Sequence, residues 1–136
     1  MTQFLGEFGA TDAAPAVFRD VTGDALIVGR EMFTDAKTGA ITLAQQIKVR
    51  ELPLLIEAIK VPDEIWARLE WQPDLGKATL RRRYLMHGQV KGKASSAVAV
   101  FDQGDGGWSG ATGFVEDSEQ YLEPLRQGVL LYRRPE

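Results

Sequence analysis

Residues 77–93, KATLRRRYLMHGQVKGK, hold six cations, Lys77, Arg81, Arg82, Arg83, Lys91 and Lys93, and no Asp or Glu. The whole chain carries a formal net charge of −3, from 19 acidic residues against 16 Lys and Arg. A basic run on an acidic chain has two readings. It is a solvated strand pair, or it is a stripe of positive potential that draws a phosphate. The excess is local: residues 1–63 hold six Lys/Arg against nine Asp/Glu, and residues 64–136 hold ten of each. Net charge alone speaks weakly against nucleic acid, since such binders are often basic throughout.

The rest of the reactive inventory is short. The chain has no cysteine. That excludes a disulfide framework, a Cys-ligated zinc site and a Cys nucleophile. His87 is the single histidine, so a His-built metal cluster and a Ser-His-Asp triad are poor fits. Its ring suits acid–base work, but it ends a strand beside Gly88, where a solvent-facing hairpin position is the plain reading. GDGGWSG, 104–110, lacks the following helix and the Lys-Ser/Thr of a phosphate-binding loop. Gly107-Trp108-Ser109-Gly110-Ala111 misses the last glycine of a nucleophile elbow. No metal and no cofactor are expected. The N-terminus has no basic segment followed by a long apolar stretch, so it does not read as a secretory signal. No run approaches 18 apolar residues, so no membrane span is expected and the expected location is cytoplasmic or virion-associated.

These side chains need elements to position them. A chain of 136 residues reads as one domain. Residues 1–24, with Gly6, Gly9, Pro15 and Gly23 scattered through them, read as an irregular lead-in, and 25–136 as the single domain. ALIVG, 25–29, reads as a short strand and DAKTG, 35–39, as a turn. Helical spacing joins Leu43, Ile47, Leu54, Leu55, Ala58 and Ile59, but Pro53 fits only a first turn. The main helix is therefore placed at about 51–60, ended by Pro62, with 43–50 as a separate strand or turn. After Pro62 the period changes to two. Strands are read at 64–71, 78–87, 96–102, 108–116 and 129–134, with a short helix or loop at 118–128. The fold class is α+β, one or two N-terminal helices on an antiparallel sheet of four strands or slightly more. In the strand 78–87, Leu80, Arg82, Tyr84 and Met86 share one face, and Arg81, Arg83, Leu85 and His87 the other. Only one arginine set can face a site. Arg82 and Tyr84 are favoured, because tyrosine adds a stacking surface.

The order of FTDAKTGAI, LPLLIEAIKVPDEIW, LRRRYL, VAVFDQGDGGWSGATGF and YLEPLRQGVLLYRR resembles a phage-associated nuclease family of the barnase–EndoU–colicin–RelE-like superfamily. It is the second such phage family, often fused behind phage Mu F-like head-morphogenesis domains. The likeness covers roughly residues 25–134, and PDEIW and RQGVLLYRR are its most specific pieces. The resemblance implies metal-independent RNA cleavage, with tRNA or another structured RNA as substrate. In that chemistry the 2′-hydroxyl attacks the adjacent phosphorus, one group takes its proton, another protonates the leaving 5′ oxygen, and cations steady the phosphorane.

The resemblance points first to Thr112, which with Phe114 is similar to a Thr-x-Tyr pair of related nucleases. Phe114 departs from that pair by lacking a proton donor. Gly110 and Gly113 are expected to admit a phosphate or base close to the backbone. Tyr132 and Arg126, in the last motif, are further candidates for phosphate contact, with Arg82 and Tyr84. Lys48, Arg50, Arg81, Arg83, Phe114 and Trp108 are candidate substrate contacts, although core or rim packing suits Trp108 better. Glu64 and His87 are candidate bases, with Glu64 alternatively holding a nearby arginine. Expected partners are RNA, an immunity protein and a phage head protein. The alternative function is a catalytically silent module of the same fold that binds RNA or a capsid protein. A nucleotide-modifying enzyme has only the glycines and arginines in its favour.

Overall fold

A computed structural model describes residues 2–11, 13–33, 49–73, 75–116 and 119–135. Helix α1, Thr2–Gly6, precedes the hairpin of β1, Ala16–Arg19, and β2, Ala25–Val28. Two short 3-10 turns, Arg30–Phe33 and Val49–Glu51, come before α2, Leu52–Lys60. A meander follows: β3, Glu64–Gln72, β4, Lys77–Val90, β5, Lys93–Gly104, and β6, Gly107–Glu116. A 3-10 segment, Glu119–Leu125, then leads to β7, Val129–Arg133. The expected turn at 35–39 and segment 43–48 lie outside the described residues.

The strands form one seven-stranded sheet in the order β1-β2-β6-β5-β4-β3-β7. The β2–β6 pair is parallel and the others are antiparallel. The sheet is thus larger than the antiparallel sheet of four strands or slightly more that was expected, and it is mixed. Beside the four-strand meander, β1 and β2 join next to β6, and β7 crosses to the far edge against β3; of these, only β1 was not read as a strand.

Helix α2 forms where the Pro53 argument puts it. Proline in the first turn forfeits an N–H that has no intrahelical partner there. Leu52, Leu54, Leu55, Ala58 and Ile59 are buried against β4, β5 and β6. The Val61 N–H closes the last turn on Glu57 O at 2.7 Å, and Pro62 prevents continuation. We call the sheet surface under α2 the inner face. It carries Ile65, Tyr84, Met86, Ala97, Ala99 and Phe101, all in the main core. Two glycines of β6 serve this packing. A Cβ on Gly113 would lie 2.9 Å from Leu55 Cδ1, and one on Gly110 would strike Met32. Their open side therefore receives core side chains, not the ligand expected there.

The described part of 1–24, read as an irregular lead-in, holds α1 and β1. Phe4, Leu5, Phe8 and Leu26 belong to the same core as α2. Phe4 packs edge-on against Phe33 at 5.0 Å between ring centroids. The opposite, outer face has its own apolar cluster. Leu85, Val98 and Val100 lie under Leu122 of the 3-10 segment, flanked by Trp66, Ala111, Phe114 and Leu125. Cover on both faces explains why β5 is buried continuously from Ser95 to Phe101. Among the described residues no helix is long and apolar enough to cross a membrane.

Candidate functional site

The alternation of β4 sends its three consecutive arginines to three different places. Arg81 points to the outer face and forks onto Asp102, its cross-strand neighbour, through Nε at 2.7 Å and Nη2 at 2.9 Å. Arg83, on the same face, forks onto Glu70 of β3, with Nη2 2.9 Å from Oε1. The Arg83 hydrogen bonds, helped by Arg68 and opposed by burial, hold the Glu70 carboxyl down at about 2. Arg82 turns inward. Its side chain is 8% exposed, ion-paired to Asp20 at 3.2 Å and Asp24 at 2.5 Å, with its guanidinium 4.1 Å from the Trp108 ring centroid. Tyr84 is fully buried and donates to Asp20 Oδ2 at 2.5 Å. Burial, then that hydrogen bond, pushes its hydroxyl well above the usual phenol range.

Arg82 and Tyr84, expected to face a site, instead clamp the β1–β2 turn onto β4. Trp108, the aromatic under Arg82, packs on the core and does not lie open to a base. Tyr132 pairs with Ile65 and packs half-buried on the inner core as well. Thr112 pairs with Val100, on the outer face. The expected meeting of Thr112 with Tyr132, Arg82 and Tyr84 does not occur, because the pleat puts them on opposite surfaces. Arg50 is exposed in the turn before α2, across the sheet from the outer face. Lys48 lies outside the described residues. Phe114 is half-buried in the outer apolar cluster.

What the outer face does assemble is Glu64, His87, Arg126 and Arg133. Glu64 opens β3 and pairs with Leu85 of β4 and Arg133 of β7. His87 lies two residues beyond Leu85 and so shares its face. Its backbone N–H is fixed by Asp63 Oδ2 at 2.8 Å. Arg126 follows the 3-10 segment that Leu122 anchors in the outer cluster. Gly128 then turns the chain into β7. Its φ is +95°, and a Cβ would strike the Ala67 carbonyl, so only glycine fits.

Arg126 is the hub. Its Nε lies 3.1 Å from both Glu64 oxygens, and its Nη2 donates to Glu64 Oε2 at 2.8 Å. The same Nη2 lies 3.1 Å from His87 Nε2. A guanidinium nitrogen only donates, so in this contact His87 Nε2 is the acceptor. Nη1 donates to Glu123 at 2.8 Å. Glu64 also accepts Trp66 Nε1 at 2.9 Å, with Arg133 Nη2 at 3.8 Å. Burial pushes the Glu64 carboxyl up, but the bonds from Arg126 and Trp66 outweigh it and keep it below the usual range.

His87 is thus half-buried against a guanidinium, not a solvent-facing hairpin residue. Thr112 shares its face but is separated from it by the Val98–Val100 ridge under Leu122. Asp63, Glu123 and Arg133 were missing from the sequence reading. A signal for Asp63 and Arg133 existed. PDEIW supplies two acids and RQGVLLYRR three arginines, and the structure pairs them: Asp63 with Arg134, Glu64 with Arg126 and Arg133. Among the described residues, no group of three or more His, Cys, Asp or Glu is placed to hold a metal ion.

Neither a curated protein nor a solved structure matches the chain. A family model does match, over residues 3–133, nearly the whole length. The chain belongs to the family described as phage-Barnase-EndoU-ColicinE5/D-RelE like nuclease2.

Proposed function

We propose that this chain is a metal-independent endoribonuclease linked to phage or prophage, cutting RNA such as tRNA through the substrate's own 2′-hydroxyl. The observation that carries the reading is one nitrogen, Arg126 Nη2, hydrogen-bonded to both the Glu64 carboxylate and the His87 imidazole. A fixed cation therefore stands between two titratable groups, which is what phosphoryl chemistry needs. The Arg126 fork meets the phosphate oxygens and gains strength as charge builds on the phosphorane. His87 takes the 2′ proton at Nε2 once the 2′-hydroxyl has displaced Arg126 Nη2 from that nitrogen. The imidazolium then has a proton to return to the departing 5′ oxygen, leaving a 2′,3′-cyclic phosphate. Glu64, engaged by Arg126 and Trp66, aims the guanidinium and does not move a proton. An active toxin of this kind calls for an inhibitory partner in the cell that makes it, and delivery as part of a virion protein fits a phage-linked family.

The test is incubation of the purified chain with tRNA in EDTA, scoring cyclic phosphate ends. His87→Ala is expected to lower the rate by about a hundredfold or more, and Thr112→Ala to leave it within a few fold. Cleavage that survives His87→Ala, or depends on Thr112 instead, overturns the assignment. A second reading, a silent module that binds RNA or a capsid protein, draws on the pairing of Arg81, Arg82 and Arg83 with carboxylates. Binding without cyclic phosphate ends would favour it.

A further inference from the structure

We propose that the Glu123 carboxylate occupies the place on Arg126 that a phosphodiester takes, so that substrate must displace Glu123 to enter. The inference rests on the nuclease reading and adds to it a residue that sets substrate affinity.

Each guanidinium nitrogen of Arg126 is engaged. Nε and Nη2 hold Glu64, Nη2 also holds His87, and Nη1 holds Glu123. Four of its five N–H groups are thus taken, so an anion that forks onto two of them must replace a partner. Glu64 is a poor candidate. Its side chain is 9% exposed, and Trp66 and Arg133 also hold it. Glu123 is 71% exposed and reaches Arg126 as a neighbour three residues away. Such exposed pairs contribute little, whereas a phosphate on an arginine fork makes stronger charge-assisted bonds. Charge agrees. Arg126 and Arg133 against Glu64 and Glu123 sum to zero. With Glu123 swung out the cluster is left at plus one, which a single phosphodiester charge neutralises. Arg133, with its side chain 65% exposed, stands ready as the second cation.

The full-length chain and its Glu123→Gln variant are titrated with inorganic phosphate, following the Arg126 Nε–Hε and His87 ring signals by NMR. RNA cleavage is measured in parallel. Both proteins are expected to show shifts at Arg126, and Glu123→Gln to bind phosphate about two- to fivefold tighter. The gain on RNA is expected in KM rather than kcat. Equal or weaker binding by Glu123→Gln, or shifts confined to the exposed lysines, overturns the proposal. The phosphate arm needs no turnover. Tighter binding by the variant with no RNA cleavage by either protein sinks the nuclease reading alone. Cleavage dependent on His87 with no gain from Glu123→Gln sinks the Glu123 proposal alone.

Discussion

At the scale of single residues, Glu70 is held by Arg83 and Arg68. Its carboxyl titrates at about 2 in the fold, against an ordinary value of 4.5. A depressed folded value means that the stability it contributes is complete above about pH 4.5 and is lost as pH falls toward 2. Glu70→Gln is therefore expected to cost about 1–3 kcal/mol at neutral pH, with the gap in urea midpoint closing between pH 4.5 and 2. Arg126→Lys is expected to lose most of the activity while leaving the fold intact, because a lysine cannot fork onto Glu64 and a phosphate at once. Cleavage assays beside a thermal melt check it. Residue identity was legible in part. Arg126 and Glu64 were named from their motifs, whereas Thr112 was favoured for its glycine neighbours, which serve the core. His87 was set aside because a strand end reads as solvent when the segment folding over it, 119–126, lies thirty residues further on.

At the scale of elements, periodicity gave the meander and α2 close to their observed bounds. It did not give the faces. Both sides of β4 carry arginine and an apolar residue, so alternation alone cannot say which side is inside. The answer lies in Asp20 and Asp24, on a turn more than fifty residues away. Asp20→Ala leaves the buried Arg82 with Asp24 alone and takes the acceptor from the Tyr84 hydroxyl, and is expected to cost about 1–3 kcal/mol. Tyr84→Phe should cost about 1–2 kcal/mol, and the pair should be non-additive in a urea double-mutant cycle. At the other edge, Gly128→Ala combines a left-handed backbone with a collision at the Ala67 carbonyl. It is expected to detach β7 from β3, seen as faster amide exchange at 129–133, and to lower activity through Arg133.

At the scale of the whole molecule, the α+β class was legible, and the size of the sheet was not. The strand that was missed, β1, is four residues long and follows a proline; so short a segment carries too little pattern to announce itself. It matters all the same. Deleting residues 1–24 removes Phe4, Leu5 and Phe8 from the core and both partners of Arg82, so the truncated chain is expected to melt without a cooperative transition by circular dichroism. The RRR tripeptide has a consequence for kinetics. Each of its three guanidiniums is closed off by a carboxylate from a different part of the chain. Seen from a Debye length away, the tripeptide itself is silent. Diffusing RNA is not reeled in; it meets this surface at the unsteered pace of neutral partners. Stopped-flow association rates should then change little between dilute and physiological salt.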